Sequence, residues 1–276
     1  MAYAKAAYRP VRRFAVLDAG LHLRLTTLSI WGYNSLVKNT RSREIMRYLI
    51  WDFDGTLGYR EGGAWTASLL ETLDLALPGH TVTLEQLRLY THTGFPWQQP
   101  DRPHLHLTSA EAWWEALYPV LASVYRGVGL DDSMARSLAR RFRAVYLNLD
   151  RWRLFDDVLP TLDALSVQGW THAILSNHVP EFGEIIDHLG LTSRFAYVFN
   201  SAETGYEKPH PRAFQLALKA LPDVETAWMI GENVVADVQG AEAVGLPAIL
   251  VRRHHPQARY WCEMLHEVPA YLLGVS

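Results

Sequence analysis

The chain has 276 residues and a mass of 31.4 kDa, enough for one large α/β domain or two modest ones with a buried core. Hydrophobic residues make up 49% and charged residues 20%, which excludes collagen-like, coiled-coil and wholly disordered classes. A formal net charge of -3 and a pI near 6.5 provide no basic field, so neither nucleic acid nor an acidic membrane is expected as a partner.

The charge is uneven. Residues 1–45 carry +6 and the remainder -9. The longest uncharged run in the basic stretch, residues 25–37, falls short of the roughly 18–20 apolar residues a membrane span needs, and it contains Thr26, Ser29 and Asn34. Such a stretch reads as a transit peptide, a disordered arm or an extension outside the mature protein. The last two are preferred because Met46 directly opens a strand-like run. The single Cys262 and the absence of an N-x-[ST] sequon point to a reducing, cytoplasmic setting, with Cys262 a small packed residue.

In chain order, the first predicted strand is the apolar run 48–53. Helical periodicity then dominates at 65–75, 84–90, 109–125 and 132–147 with no strand between, entered through a loop at 58–63 made flexible by three glycines and left near 151–156. From there helices at 158–166, 180–189, 211–221 and 234–244 alternate with strands at 171–175, 196–199, 226–230 and 248–251. Pro180 and Pro211 suit a first helical turn, and Gly190 and Gly245 suit helix ends. The alternation predicts an α/β fold, a doubly wound open parallel sheet with an inserted α-helical unit over the carboxyl ends of the strands. The expected division is 1–45 as the basic extension, 46–58 and 157–276 as the core, and 59–156 as the helical cap.

Polar residues cluster where strands end. Asp52 and Asp54, two apart on an extended segment, point the same way, and Gly55 turns the chain after them; Asp and Gly also make ordinary surface turns. Ser176 and Asn177 end the second strand of the core, where a simple helix cap is the bland reading. Lys208 follows the third, and a loop lysine is usually solvated. Gly231, Glu232, Asn233 and Asp237 follow the fourth, where acids often only complement a helix dipole. Four such ends on one edge make coincidence a poor account.

Through DFDGTL at 52–57, ILSN at 174–177, Lys208 in YEKPHP and GENVVADVQGAEAVG at 231–245, the sequence resembles the haloacid dehalogenase superfamily of phosphohydrolases over residues 46 to about 253, and the insertion resembles its C1-type cap. The resemblance implies that Asp52 is a nucleophile forming an aspartyl-phosphate and that Asp54 is the general acid and then base. It implies that Ser176 and Lys208 contact the phosphoryl oxygens, with Gly55, Thr56 and Asn177 lining the substrate. Mg2+ would be held by Asp52, the Asp54 carbonyl and the acids Glu232 and Asp237. Most relatives carry Asp where this chain has Glu232, one methylene longer. Glu232 is expected to reach the metal with Asp237 orienting Lys208 or a water, though the reverse assignment stays open. The implied activity is Mg2+-dependent hydrolysis of a small phosphorylated metabolite. The alternatives are a catalytically weak or silent module, a phosphomutase, and a haloacid dehalogenase, against which Asp54 argues.

In the insertion, Trp113 and Trp114 are adjacent, diverge by about 100° on a helix and cannot both face one core stripe, so one is expected toward the active site. The proline-rich loop 93–107, with Trp97, is read as substrate-facing, and its His104 and His106 as a polar loop pair. Arg60 and His178 lie near motif ends, placed either to touch substrate or as surface residues.

Overall fold

The structure, a computed structural model, describes residues 12–13, 45–107 and 109–272, so the basic stretch read at 1–45 lies outside the described residues except at 12, 13 and 45. Its strands are β1 (Arg12–Arg13), β2 (Met46–Trp51), β3 (Gly58–Arg60), β4 (Trp152–Leu154), β5 (Trp170–Ser176), β6 (Tyr197–Asn200), β7 (Val224–Gly231), β8 (Ala248–Val251) and β9 (Trp261–Cys262). Its α-helices are α1 (Trp65–Ala76), α2 (Leu84–Arg88), α3 (Ala110–Gly127), α4 (Asp132–Tyr146), α5 (Val158–Val167), α6 (Phe182–His188), α7 (Ser201–Thr204), α8 (Pro211–Ala220), α9 (Gly240–Glu242) and α10 (Val268–Leu272).

Seven strands form one parallel sheet in the order β1-β6-β5-β2-β7-β8-β9. The period of two along β2 divides the core. Leu49 and Trp51 join the layer built by α5, α6 and α10, whereas Tyr48 and Ile50 join the layer built by α8 and α9. A sheet buried on both faces needs near-continuous apolar strands, and this is why MRYLIW and TAWMIG read as runs instead of alternations. Helices therefore cover both faces, as the sequence pattern requires.

The insertion folds as α1 to α4, with α3 and α4 packed against each other and α1 on α4. Its apolar interior is continuous with the first core layer through Phe53 and Trp152, whose ring centroids lie 6.0 Å apart. A second tie is ionic. Glu181, just before α6, accepts from Trp114 Nε1 at 3.0 Å and from Arg143 Nε at 3.0 Å, joining α3 and α4 to the core.

Local structure departs from the sequence reading at four places. The glycine-bearing segment at 58–63 is not a free loop: β3 pairs antiparallel with β4, so the chain enters and leaves the helical unit on one ribbon. The helix expected over 234–244 opens with a π-helical turn, Val234–Gln239, in which Asn233 caps Val235 and Ala236 through its side chain and the Val238 amide reaches back five residues to the Asn233 carbonyl. Pro180 sits in the turn before α6, which begins at Phe182, while Pro211 opens α8 as expected. Trp113 and Trp114 are both buried, because α3 is covered on two sides and needs no solvent-facing aromatic. The tryptophans that face the cleft are Trp65 and Trp97.

Candidate active site

The end of β2 is pinned before it turns. The Asp52 amide continues the ladder to the Ile230 carbonyl at 2.8 Å, and the Phe53 carbonyl then accepts from the amides of Thr56, Leu57 and Gly58. This tight turn leaves Asp52 and Asp54 on the cleft side, along with Gly55, Asn177, Lys208, Glu232 and Asp237. The strand ends thus converge on one cleft of about 630 Å3, within the usual size of a small-molecule site.

Lys208 is the hub. Its Nζ donates to Asp52 Oδ1 at 2.8 Å and to Asp237 Oδ1 at 2.5 Å, and its side chain is only 2% exposed. Burial alone would lower its pKa, but Asp237 and Asp52 more than offset that and hold the ammonium above the ordinary lysine value. Burial pushes Asp237 up to about 6, with Lys208 restraining it. Its second oxygen accepts from the Asn233 amide at 2.9 Å. Both Asp237 oxygens are therefore occupied by protein donors, and the residue sits where it orients Lys208, the role weighed for it beside metal ligation. Gly231 is required by this packing: a Cβ there would lie 2.2 Å from Asp237 Oδ2.

Ser176 Oγ donates to Asp52 Oδ1 at 3.2 Å, so it meets the carboxylate and not the open cleft. One expected substrate contact, Thr56, is corrected. Thr56 is buried beneath Asp52, its Oγ1 3.4 Å from Oδ2, and cannot reach a ligand. Asn177 lines the cleft, but its amide is used on the backbone of Lys208: Oδ1 accepts from the Lys208 amide at 2.7 Å and Nδ2 donates to the Lys208 carbonyl at 2.9 Å. Gly55 remains at the cleft surface with positive φ (74°), and the stem of Glu232 lies against it.

Asp54 differs from Asp52 in lacking a protein donor of its own. Burial first, then the charge of Asp52, push its carboxyl up to about 8, with Lys208 pulling the other way. Solvent reaching the side chain, 36% exposed, moderates that shift. Nearby His178 is buried among Phe53, Phe182 and Trp152, with Nε2 3.6 Å from Asp54 Oδ2. Desolvation lowers its pKa to about 3, so it faces Asp54 as a neutral imidazole. Arg60 is also buried, and it caps α4 by donating to the Val145 and Tyr146 carbonyls while pairing with Glu71.

Two arginines at the end of β8 escaped the sequence reading. Arg252 forks onto Asp157 and donates to the Thr56 carbonyl, joining the exit of the first turn to the return from the helical unit. Arg253 pairs with Glu232. The signal was present: residues just past the fifth predicted strand share the edge on which the other strand ends place their polar residues.

The donor set suits a hard cation. Asp52 Oδ2 has only the long Thr56 contact, and Glu232 Oε2, though paired with Arg253, has no hydrogen-bond donor aligned on it. Among the described residues no three His, Cys, Asp or Glu side chains form a cluster that could hold a metal ion. Mg2+ asks for less than such a cage, because it keeps several waters and takes one or two carboxylates plus phosphate oxygens.

The model of haloacid dehalogenase-like hydrolases matches residues 46–245. The chain belongs to this family. This haloacid dehalogenase-like hydrolase is 30% identical over 148 residues to haloacid dehalogenase-like hydrolase domain-containing protein 3 of Homo sapiens, covering 53% of the chain and 58% of the relative. It is 36% identical over 121 residues to phosphoserine phosphatase of Thermus thermophilus, covering 43% of the chain and 47% of the relative, so these two matches span about half of each relative's length. Among solved structures it shares the fold of the HAD-hydrolase YfnB of Bacillus subtilis, bound to magnesium, with a TM-score of 0.59 at 19% identity over 83% of this chain and 100% of that one. No helix among the described residues is long and apolar enough to cross a membrane.

Proposed function

We propose that this hydrolase is a Mg2+-dependent phosphatase that cleaves a small phosphorylated metabolite through an aspartyl-phosphate on Asp52. The observation that carries the reading is the asymmetry of the two acids. Asp52 has one oxygen saturated by Lys208 and Ser176, which fixes the carboxylate's orientation for attack, whereas Asp54 lies on the cleft with no protein donor of its own and is pushed upward by burial and by the charge of Asp52, which suits it to carry the proton for the leaving oxygen. An oxygen of Asp52 bonds to phosphorus as the ester oxygen leaves with the proton of Asp54. Asp54, now a carboxylate, takes a proton from the water that attacks the same phosphorus, releasing phosphate and restoring Asp52. Asp237 and Asn177 act through Lys208, one holding its ammonium and the other its backbone. Mg2+, held by Asp52, the Asp54 carbonyl and Glu232, would supply positive charge to the phosphoryl oxygens. The helical unit would serve as the cap over the site. The phosphoserine phosphatase of Thermus thermophilus supports phosphoester chemistry in a relative.

The test is hydrolysis of p-nitrophenyl phosphate with and without Mg2+ by the wild type, Asp52→Asn and Glu232→Asp. Mg2+-dependent turnover lost in Asp52→Asn is expected. A second reading, a catalytically weak module, is favoured by the Glu232–Arg253 pair, which occupies the acid that departs from the family pattern. Turnover absent in the wild type but present in Glu232→Asp would support it.

A further inference from the structure

The cleft has two unlike sides. Its floor carries the carboxylates Asp52, Asp54, Glu232 and Asp237, while the facing wall is formed by Tyr59, Trp65, Trp97 and Pro100. Two cations line the cleft among the described residues, Lys208 and Arg60, and both are spent. Lys208 is divided between Asp52 and Asp237. The Arg60 guanidinium is held by the carbonyls of Gly63, Val145 and Tyr146 and by Glu71 at 2.7 Å, with its side chain 1% exposed. A substrate carrying a carboxylate or second phosphate on its leaving group would find no free cation among these lining residues, and Arg253, at the edge, is paired with Glu232.

The wall offers another kind of contact. Trp97 stacks on Phe95 at 4.8 Å and 25° and lies 4.6 Å from Trp65, which is itself stacked on Tyr146 and Phe142. Rings fixed on several sides form a rigid platform that loses little freedom when a flat group binds. The cleft, at about 630 Å3, has room for such a group beyond the phosphate.

We infer that the substrate is a phosphate monoester whose alcohol is uncharged and carries a flat ring, a nucleoside or aryl monophosphate, and that Trp97 determines this specificity by stacking on the ring. This rests on the phosphatase reading for its chemistry, and it departs from the substrate named for the phosphoserine phosphatase relative, which bears a carboxylate and an ammonium.

The test uses the full chain with Mg2+. The kcat/KM values for uridine and adenosine 5′-monophosphates and phenyl phosphate are compared with those for glycerol phosphate, phosphoglycolate and phosphoserine, in the wild type, Trp97→Ala and Trp97→Phe. Ring-bearing esters should exceed phosphoglycolate and phosphoserine by at least about tenfold. Trp97→Ala should raise KM for the ring-bearing esters about tenfold, leave glycerol phosphate within about twofold, and be largely rescued in Trp97→Phe. The nucleotide and phenyl arms decide between the two ring sources. Preference for the doubly charged esters, or an equal loss on every ester in Trp97→Ala, overturns the inference. Calorimetric binding of the same esters to Asp52→Asn separates the two readings. If nothing is turned over, the phosphatase reading falls, while binding of uridine monophosphate at least tenfold tighter than phosphoglycolate still upholds the inference, and equal or weaker binding overturns it.

Discussion

The floor and the wall of the cleft are stabilised by different physics. On the floor, Asp52, Lys208, Asp237, Ser176 and Asn177 direct hydrogen bonds at one another and at the backbone. On the wall, Trp97 stacks on Phe95 and Trp65 packs against both at a tilt. A floor of buried charges is all-or-none, because removing one partner strands the others in a poor dielectric. A wall of rings can lose a member and keep its shape, so its substitutions should be felt by particular substrates and not by the chemistry.

The largest effect is expected where the floor is broken at its hub. Lys208→Met leaves two buried carboxylates unpaired and should lower kcat by about 10³-fold on every ester and destabilise the fold by about 3–5 kcal/mol, read by steady-state kinetics and urea unfolding. A substrate-selective loss would mean that Lys208 belongs to specificity and would erase the contrast.

Next comes the clamp between the first turn and the return from the helical unit. Arg252 holds Asp157 and the Thr56 carbonyl from a left-handed backbone at φ 70°. Arg252→Ala should cost about 3 kcal/mol in urea unfolding. Arg252→Gly should cost no more, because relief of left-handed strain, about 1–2 kcal/mol, exceeds the added chain entropy of about 0.5–1 kcal/mol. A neutral Arg252→Ala would show that the ribbon of β3 and β4 carries the joint alone.

Beneath the floor, His172 accepts from Trp51 Nε1 at 3.0 Å, with the Leu162 carbonyl 3.0 Å from Nε2, and Ser166, Asp163 and Arg194 are its polar and charged neighbours. Burial is the main cause that lowers its pKa to about 4. The unfolded chain protonates this ring near its ordinary 6.5 and the folded chain only near 4, so stability should fall as pH drops through that window. The loss should be about 2–3 kcal/mol. His172→Gln should flatten this part of the stability–pH curve, and an unchanged slope would assign it to other groups.

The smallest effect lies at the floor's edge. Arg253, 58% exposed, pairs with Glu232, and a surface pair contributes about 0.2–1 kcal/mol. Arg253→Gln should therefore tighten Mg2+ binding two- to fivefold in titration calorimetry. Unchanged or weaker binding would show that the pair does not compete with the metal.

The alternation of strands and helices, and the convergence of Asp52, Ser176, Lys208 and Asp237 at one edge, were legible because strand period and strand-end position are local properties of sequence. The wall was less so. Which of Trp65, Trp97, Trp113 and Trp114 faces the cleft depends on how α1, α3, α4 and the loop at 93–107 pack together, which no helical period determines. The role of Thr56 was misjudged for a related reason: a polar residue at a strand end is equally suited to a ligand and to a neighbouring protein group, and the Thr56 hydroxyl lies under Asp52, while Asn177 lines the cleft with its amide on the Lys208 backbone. The β3–β4 ribbon was missed because its three-residue strands are shorter than a periodicity can register.

The most direct test of the floor's chemistry is to quench the 276-residue chain during turnover of p-nitrophenyl phosphate with Mg2+ and map phosphorylation by peptide mass spectrometry. The account predicts a phosphoryl group on the peptide containing Asp52 in the wild type and none in Asp52→Asn, which should also lose turnover. Steady turnover with that peptide unmodified, and activity retained in Asp52→Asn, would contradict it.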